Sequence, residues 1–257
     1  MSLKYILSKI FWHPYSDKEK IERFQKIIRD NEWSELAKYI PKKSNFLDVG
    51  CGSGDNMFKA KKELHCTVQG VDPNPGNHGV GRYSSEKYLK NIKKGVSENL
   101  PYPDKNFDVV FCSHVLEHVA NENKCLKEMK RVAKDNGILI IGMPTALMSW
   151  IGLFSSYLFT THTKLLNTIK SVGKQTFFIN LRTIFLPNSH SYPRAKTILY
   201  DLYYYRTSNW RRIVSKEFCI EKTLKPFLYP YPDFIQIFKI RKSNLGSSSV
   251  FFICKKK

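Results

Sequence analysis

The stretch Asn45 to Asn56, NFLDVGCGSGDN, carries an apolar run into an acid, Asp48, and then into three alternating glycines, Gly50, Gly52 and Gly54. Glycines let a backbone turn sharply and approach a ligand closely, so a strand running through such a turn into a helix has the shape of a nucleotide-type binding loop. A dinucleotide fingerprint would read Gly-x-Gly-x-x-Gly and offer amides to an anionic pyrophosphate. Here the third glycine arrives one residue early, and a carboxylate stands at the strand end.

That carboxylate would repel a pyrophosphate and suits a ligand with a positive amine and a sulfonium. S-adenosylmethionine is such a ligand. The next apolar run delivers Asp72, before Pro73 in VQGVDPNP, at about the interval at which an acid meets ribose hydroxyls and accepts from both. Taken alone, an acid before proline is equally a turn former. A third chemical cluster is HVLEH, His114 to His118. Two histidines four apart around a glutamate match an inverted zinc-peptidase helix. The cluster directly follows a strand and has no second carboxylate motif, which disfavours that assignment and leaves no metal expected. His118 then either orients an acceptor and takes its proton, or packs beside the cofactor.

These residues need elements to hold them. Apolar spacing over Asp17 to Ile40 predicts one or two amphipathic helices ended by Pro41. There follow a strand at Phe46 to Val49, a helix at Asn56 to Leu64, a strand at Thr67 to Val71, a helix at Ser84 to Lys90 and a short strand near Ile92. A strand at Phe107 to Cys112, a helix at Asn121 to Ala133 and a strand at Ile138 to Met143 continue the alternation, which means a parallel sheet covered on both faces. A helix at Arg194 to Lys216 and strands at Phe218 to Thr223 and Ser248 to Cys254 close the chain as a hairpin. The expected divisions are a helical cap at 1–40, a cofactor-binding core at 41–144, an insertion at 145–196 and a closing helix and strands at 197–257.

FLDVGCGSGDN, VQGVDPNP, SENLPYPDKNFDVVFCSHVLEHV and CLKEMKRVAKDNGILIIGMP together resemble the class I S-adenosylmethionine-dependent methyltransferases, in their methyltransferase type 11-like, bacterial small-molecule and glycan branch. The resemblance covers Lys43 to Pro144. It implies an α/β, Rossmann-like, doubly wound sheet of seven strands, mostly parallel with one antiparallel strand, and a helical insertion after strand 5. By position it places Asp48, Gly50, Cys51, Gly52 and Gly54 along the methionine part of the cofactor and Asp72 and Pro73 at the ribose. Ser97, Glu98, Asn99 and Leu100 would flank the adenine, and Ser113 and His118 would lie near the reacting methyl group. Val96 stands where the family often has an acid for the adenine amino group, leaving that contact to a backbone amide or Glu98.

The insertion bears on the acceptor. No charged residue occurs between Asp135 and Lys164, yet Gly142 and Pro144 leave ALMSWIGLFSSYLFT too short to span a bilayer. Leu147, Trp150, Ile151, Phe154 and Leu158 share one helical face, opposite Ser149, Gly152, Ser156 and Thr160. The helix is a pocket lid, an element lying in a membrane interface, or part of the core. FLPNSHSYPRAK and YDLYYYRTSNWRR resemble the acceptor side of enzymes acting on envelope glycans or lipid-linked sugars, with His190 and Tyr192 as acceptor-side candidates and His190 also a catalytic one.

Net charge is +20, of which residues 161–257 hold +14, from 18 Lys and Arg against 4 Asp and Glu. Such a field suits an anionic partner. Scattered cysteines and an N-terminus without a signal-peptide core point to the cytoplasm, and the apolar insertion with basic residues beside Trp and Tyr to a place peripheral to the inner face of the membrane. The expected activity is O-methylation of a sugar, lipid-linked glycan or other small acceptor there. The alternatives are tRNA methylation, which the basic C-terminal part would serve, and a non-catalytic cofactor-binding or membrane-associated scaffold. DNA methylation is disfavoured, because FCSH replaces the Asp/Asn-Pro-Pro-aromatic segment after the fourth strand and no Pro-Cys pair is present. Oligomeric state is left open.

Overall fold

The computed structural model describes residues 18–76, 90–191, 195–229, 242 and 246–257. The expected helix at Ser84 to Lys90 and the candidate Tyr192 lie outside them, apart from Lys90 itself. Helix α1 (Lys18–Leu36) and a 3-10 turn (Ala37–Tyr39) lead into strand β1 (Asn45–Val49), helix α2 (Asp55–Leu64) and strand β2 (Thr67–Asp72). Strands β3 (Ile92–Lys94) and β4 (Phe107–Ser113), helix α3 (Glu122–Val132) and strand β5 (Ala133–Pro144) come next. Helices α4 (Ala146–Lys170), α5 (Phe177–Phe185), α6 (Ile198–Tyr204) and α7 (Thr207–Val214) precede strands β6 (Phe218–Leu224) and β7 (Ser249–Lys256).

The seven strands form one sheet in the order β3-β2-β1-β4-β5-β7-β6. β1 to β5 pair in parallel, and β7 runs antiparallel to both β5 and β6, so it is the one reversed strand. The order turns back at β1, where β2 leaves on one side and β4 pairs on the other, which opens a crevice at the C-terminal strand ends. Side-chain alternation divides the interior in two. Leu47, Val49, Val110, Leu139, Ile141 and Phe252 pack with α3 and α7 on one face, while Phe46, Val109, Phe111, Ile140 and Phe251 pack with α1 and α2 on the other. Gly142 in β5 is demanded by this packing, because a Cβ there would sit 2.2 Å from the Phe251 ring.

Two expectations are corrected. The single helix over Arg194 to Lys216 is two, α6 and α7, broken at Tyr205 and Arg206. The break has a use: the freed carbonyl of Tyr205 accepts from the Ala146 amide at the start of α4 (2.9 Å), and the buried Tyr205 hydroxyl pairs with Ser191. The insertion helix also runs ten residues beyond Thr160, since Leu165 and Ile169 continue its apolar stripe past Lys164, and α5 follows it. Ser149 and Gly152 face inward and Trp150 and Phe154 outward, so α4 packs by its small side. Among the described residues no helix is long and apolar enough to cross a membrane.

The N-terminal helix is fastened through one buried acid. Glu32, 2% exposed, accepts from Tyr229 Oη (3.0 Å) and the Ser249 hydroxyl and pairs with Arg29. Glu32→Ala should strand those donors and lower stability by about 3 kcal/mol, read as a fall in the urea midpoint with an unchanged slope. A midpoint within experimental error of the wild type would mean α1 is held without Glu32, by apolar packing and by its Asp30–Lys59, Lys26–Asp55 and Trp33–Glu63 contacts to α2.

Candidate active site at the strand ends

The turn after β1 takes positive φ at each glycine: +71° at Gly50, +54° at Gly52 and +82° at Gly54. Gly50 also lacks room for a side chain, since a Cβ would meet Val115 Cγ2 at 2.3 Å. The turn is tied to β2, for the amides of Gly50 and Cys51 donate to the Val71 carbonyl at 2.8 and 3.2 Å. Asp72 holds its other side. Its Oδ2 accepts from the Gly52 amide and its Oδ1 from the Asn74 amide, both at 2.8 Å, so the acid shapes the loop beyond Pro73 as well.

Asp48 lies beneath this turn and is 2% exposed, and its Oδ2 has no hydrogen-bond partner. Burial first, then the charges of Asp72 and Asp55, push its carboxyl well above the usual range. An ionised carboxylate there calls for a donor or a cation. The neighbouring Cys51 thiol is held neutral by burial and by the Asp48 and Asp72 charges, which removes it as a nucleophile.

On the other flank, Ser97 Oγ donates to Glu98 Oε2 (3.1 Å), and Glu98 Oε1 accepts from the Ala120 and Asn121 amides at 3.0 and 3.4 Å. Glu98 thereby braces this loop against the start of α3. The Leu100 amide donates to Glu128 Oε2 (2.8 Å) and the Leu100 side chain is buried, while Asn99 is exposed and its amide donates to the Val96 carbonyl. Ser113 ends β4 opposite Gly142.

His114 to His118 form a turn rather than a helix, with His114 at φ +57°. The i, i+4 geometry of a zinc-peptidase helix is therefore absent. His114 Nδ1 lies 3.4 Å from Oε1 of the fully buried Glu117, and its Nε2 is buried without a partner. Burial, then the charges of Arg29, His190 and His118, hold His114 neutral by driving its pKa well below 6.5. The ring of His118, 43% exposed, lies 5.1 Å from that of His190. His190 arrives from the loop before α6, anchored there by the buried Asp201, which accepts from the His190 amide (2.7 Å) and the Ser189 hydroxyl. Burial, then the His118 and Arg29 charges, lower the His190 pKa to about 4, leaving a neutral imidazole near pH 7. Glu117, His118 and His190 bring one oxygen and two nitrogens within 4.8 Å of one another, a donor set compatible with a divalent cation.

The structure thus gathers Asp48, the glycine turn, Asp72, the 97–100 loop, Ser113 and His118 at one edge of the sheet, and adds His190 across 72 residues of chain. Sequence reading passed over Arg29 and gave Glu117 and His114 a part only in the disfavoured zinc-peptidase pattern. The Glu117 and His114 signal was present in HVLEH, whereas nothing in the spacing of α1 marks Arg29.

Residues 47–141 match the family described as a methyltransferase domain. Ajmaline N-methyltransferase of Rauvolfia serpentina is 31% identical over 104 residues, covering 39% of this chain and 36% of that one. A ubiquinone/menaquinone biosynthesis C-methyltransferase, UbiE, of Campylobacter jejuni is 29% identical over 115 residues, covering 41% and 47%. The chain thus spans between about a third and a half of the length of these relatives. A solved SAM-dependent methyltransferase from Thermotoga maritima shares the fold at TM-score 0.54 and 18% identity, covering 98% of this chain and 99% of that one. Residues 47–141 carry a methyltransferase domain, and the fold is the one that S-adenosylmethionine-dependent methyltransferases have. The cofactor of those enzymes is S-adenosylmethionine, and the residues fit it: an unpartnered buried carboxylate oxygen suits its amine, and the Gly50 turn keeps open a space that a Cβ would close.

Because the folded state holds the Asp48 proton more tightly than the unfolded chain does, this group costs the ligand-free protein stability as pH rises above the unfolded carboxylate value of about 4. Asp48→Asn should therefore raise the Tm of ligand-free protein at pH 7.5, with the gap closing as pH falls toward 4. An equal Tm at pH 7.5 would show that Asp48 is already satisfied.

Proposed function

We propose that this chain transfers the methyl group of S-adenosylmethionine to a hydroxyl oxygen of a small acceptor, a sugar or a lipid-linked glycan, beside a membrane face. The observation that carries the reading is the His118–His190 pair at the cofactor edge, two imidazoles with ring centroids 5.1 Å apart, of which His190 is unprotonated near pH 7 but a weak base because burial and the His118 and Arg29 charges lower its pKa. The cofactor supplies an activated methyl group, so the work left to the chain is alignment, exclusion of water and removal of one proton. Asp48 and Asp72 would hold the cofactor, the 113–118 turn would set the acceptor's approach, and an imidazole of the pair would take the hydroxyl proton; the carbon–oxygen bond would form as the methyl–sulfur bond breaks, with S-adenosylhomocysteine leaving with the sulfur electron pair. Asp201 positions His190 without touching the reacting atoms. The apolar helices α4 and α5, packed next to this loop, support an acceptor that is itself lipid-borne or sits at a lipid surface.

The test is turnover of S-adenosylmethionine with a panel of envelope sugars and lipid-linked sugars, read as a product heavier by one methylene. His118→Ala and His190→Gln should each lower kcat by roughly 10²-fold or more while leaving S-adenosylhomocysteine affinity within about twofold. Turnover of amine or carbon acceptors with no hydroxyl product would overturn the choice of oxygen, and full activity in both variants would remove the proton-accepting role.

A further inference from the structure

Helix α4 is amphipathic the wrong way round for a helix whose outer side meets water. Its inward side buries the small or polar Ser149, Gly152, Thr168 and, at the C-cap, Ser171, beside Met148 near its start. Its outward side carries Trp150, Phe154 (62% exposed), Tyr157, Leu165, Ile169 and, just past its end, Val172 (66%), at steps of three, four and eight residues that keep one stripe along the helix. Helix α5, which has no buried residue, adds Phe178 (76%), Leu181 and Phe185 to the exposed apolar surface. The two stripes meet, because the Tyr157 hydroxyl donates to the Phe185 carbonyl. Scattered exposed apolar residues need no explanation, but a continuous row across two helices does.

The charge around the row identifies what covers it. Between Asp135 and Asp201 the sequence has no acid, while it has Lys164, Lys170, Lys174, Arg182, Arg194 and Lys196. Lys170 and Lys174 are exposed at the C-terminal end of α4 and the turn that follows. A second copy of the chain meeting this face about a twofold axis would set like charges opposite one another, which opposes self-association. An apolar stripe on a segment that carries cations and no acid fits the headgroup region of an anionic bilayer, with the rings at the acyl boundary and the ammonium groups among phosphates.

From this we infer that α4 and α5 form a docking surface that lays the protein in the plane of an anionic phospholipid membrane, without crossing it. This deepens the membrane-side part of the proposed function, and it rests on that reading only for why an acceptor would be met there. The binding itself needs neither cofactor nor acceptor, so it is measured without them.

The experiment is sedimentation of the whole chain with vesicles of phosphatidylglycerol and phosphatidylcholine in equal parts, against vesicles of phosphatidylcholine alone. The wild type should bind the anionic vesicles at least tenfold more tightly, with affinity falling as salt rises. The triple variant Phe154→Ser, Ile169→Ser and Phe178→Ser changes only exposed positions and should lose at least tenfold in affinity with an unchanged Tm. The double variant Lys170→Gln and Lys174→Gln carries the test if the triple variant does not fold, and it should reduce the preference for anionic vesicles. Wild-type protein that stays in the supernatant with both vesicles would overturn the inference. So would triple and double variants that bind as the wild type does, or a concentration-dependent dimer that the triple variant abolishes in the absence of vesicle binding. In each of those cases methyl transfer to a soluble acceptor would still be measurable.

Discussion

One carboxylate holds the cofactor edge together. Asp72 ends β2 and accepts from the amide of Gly52 in the turn after β1, so the loop that must approach a ligand is fixed by the neighbouring strand rather than by its own side chains. The glycines make that turn sterically accessible, and the hydrogen bond selects one conformation from the many they allow. With the turn fixed, Asp48 is sealed beneath it with an unpartnered oxygen, and the buried pair of acids becomes a place where a cation is worth more than it would be in water. An acid buried with an unpartnered oxygen costs the fold stability when ionised, and a cation bound beside it would offset that cost.

The histidine side is assembled differently. Its histidines come from a turn after β4 and from a loop before α6, and their meeting depends on Asp201 in α6, on the break at Tyr205 and on the Ala146 amide that uses the carbonyl exposed by that break. Arg29 adds a cation from the N-terminal helix whose field reaches His114 and His190, while Glu32 beside it keeps the helix in place. The core of the fold carries the glycine turn and its two acids, and the segments added around that core bring the histidines together.

How much of this was legible in the sequence follows from the range of the interactions. Strand and helix order, the reversed last strand and the glycine turn with its two acids were readable, because each depends on local spacing of apolar residues, glycines and acids. The helix break at Tyr205 was not, since the pattern over Ile198 to Val214 is continuous and the break is stabilised by Ala146 and Ser191, distant in the chain. Helix α4 showed its two faces plainly in the sequence. Which face turns inward depends on what it packs against, and here the small side wins because Ser149 and Gly152 allow a close approach that Trp150 and Phe154 would block. Arg29 could not be read at all, for nothing near it in sequence shares its role.

The central claim is that the glycine turn and its two acids hold S-adenosylmethionine, and calorimetric titration of S-adenosylhomocysteine into wild type and Asp72→Ala tests it most directly. Micromolar binding by the wild type, weakened at least tenfold when Asp72 is replaced, is the expected result, since the variant loses both an acceptor for the ribose hydroxyls and the anchor of the turn. No binding by the wild type, or binding that is indifferent to Asp72, would contradict the account.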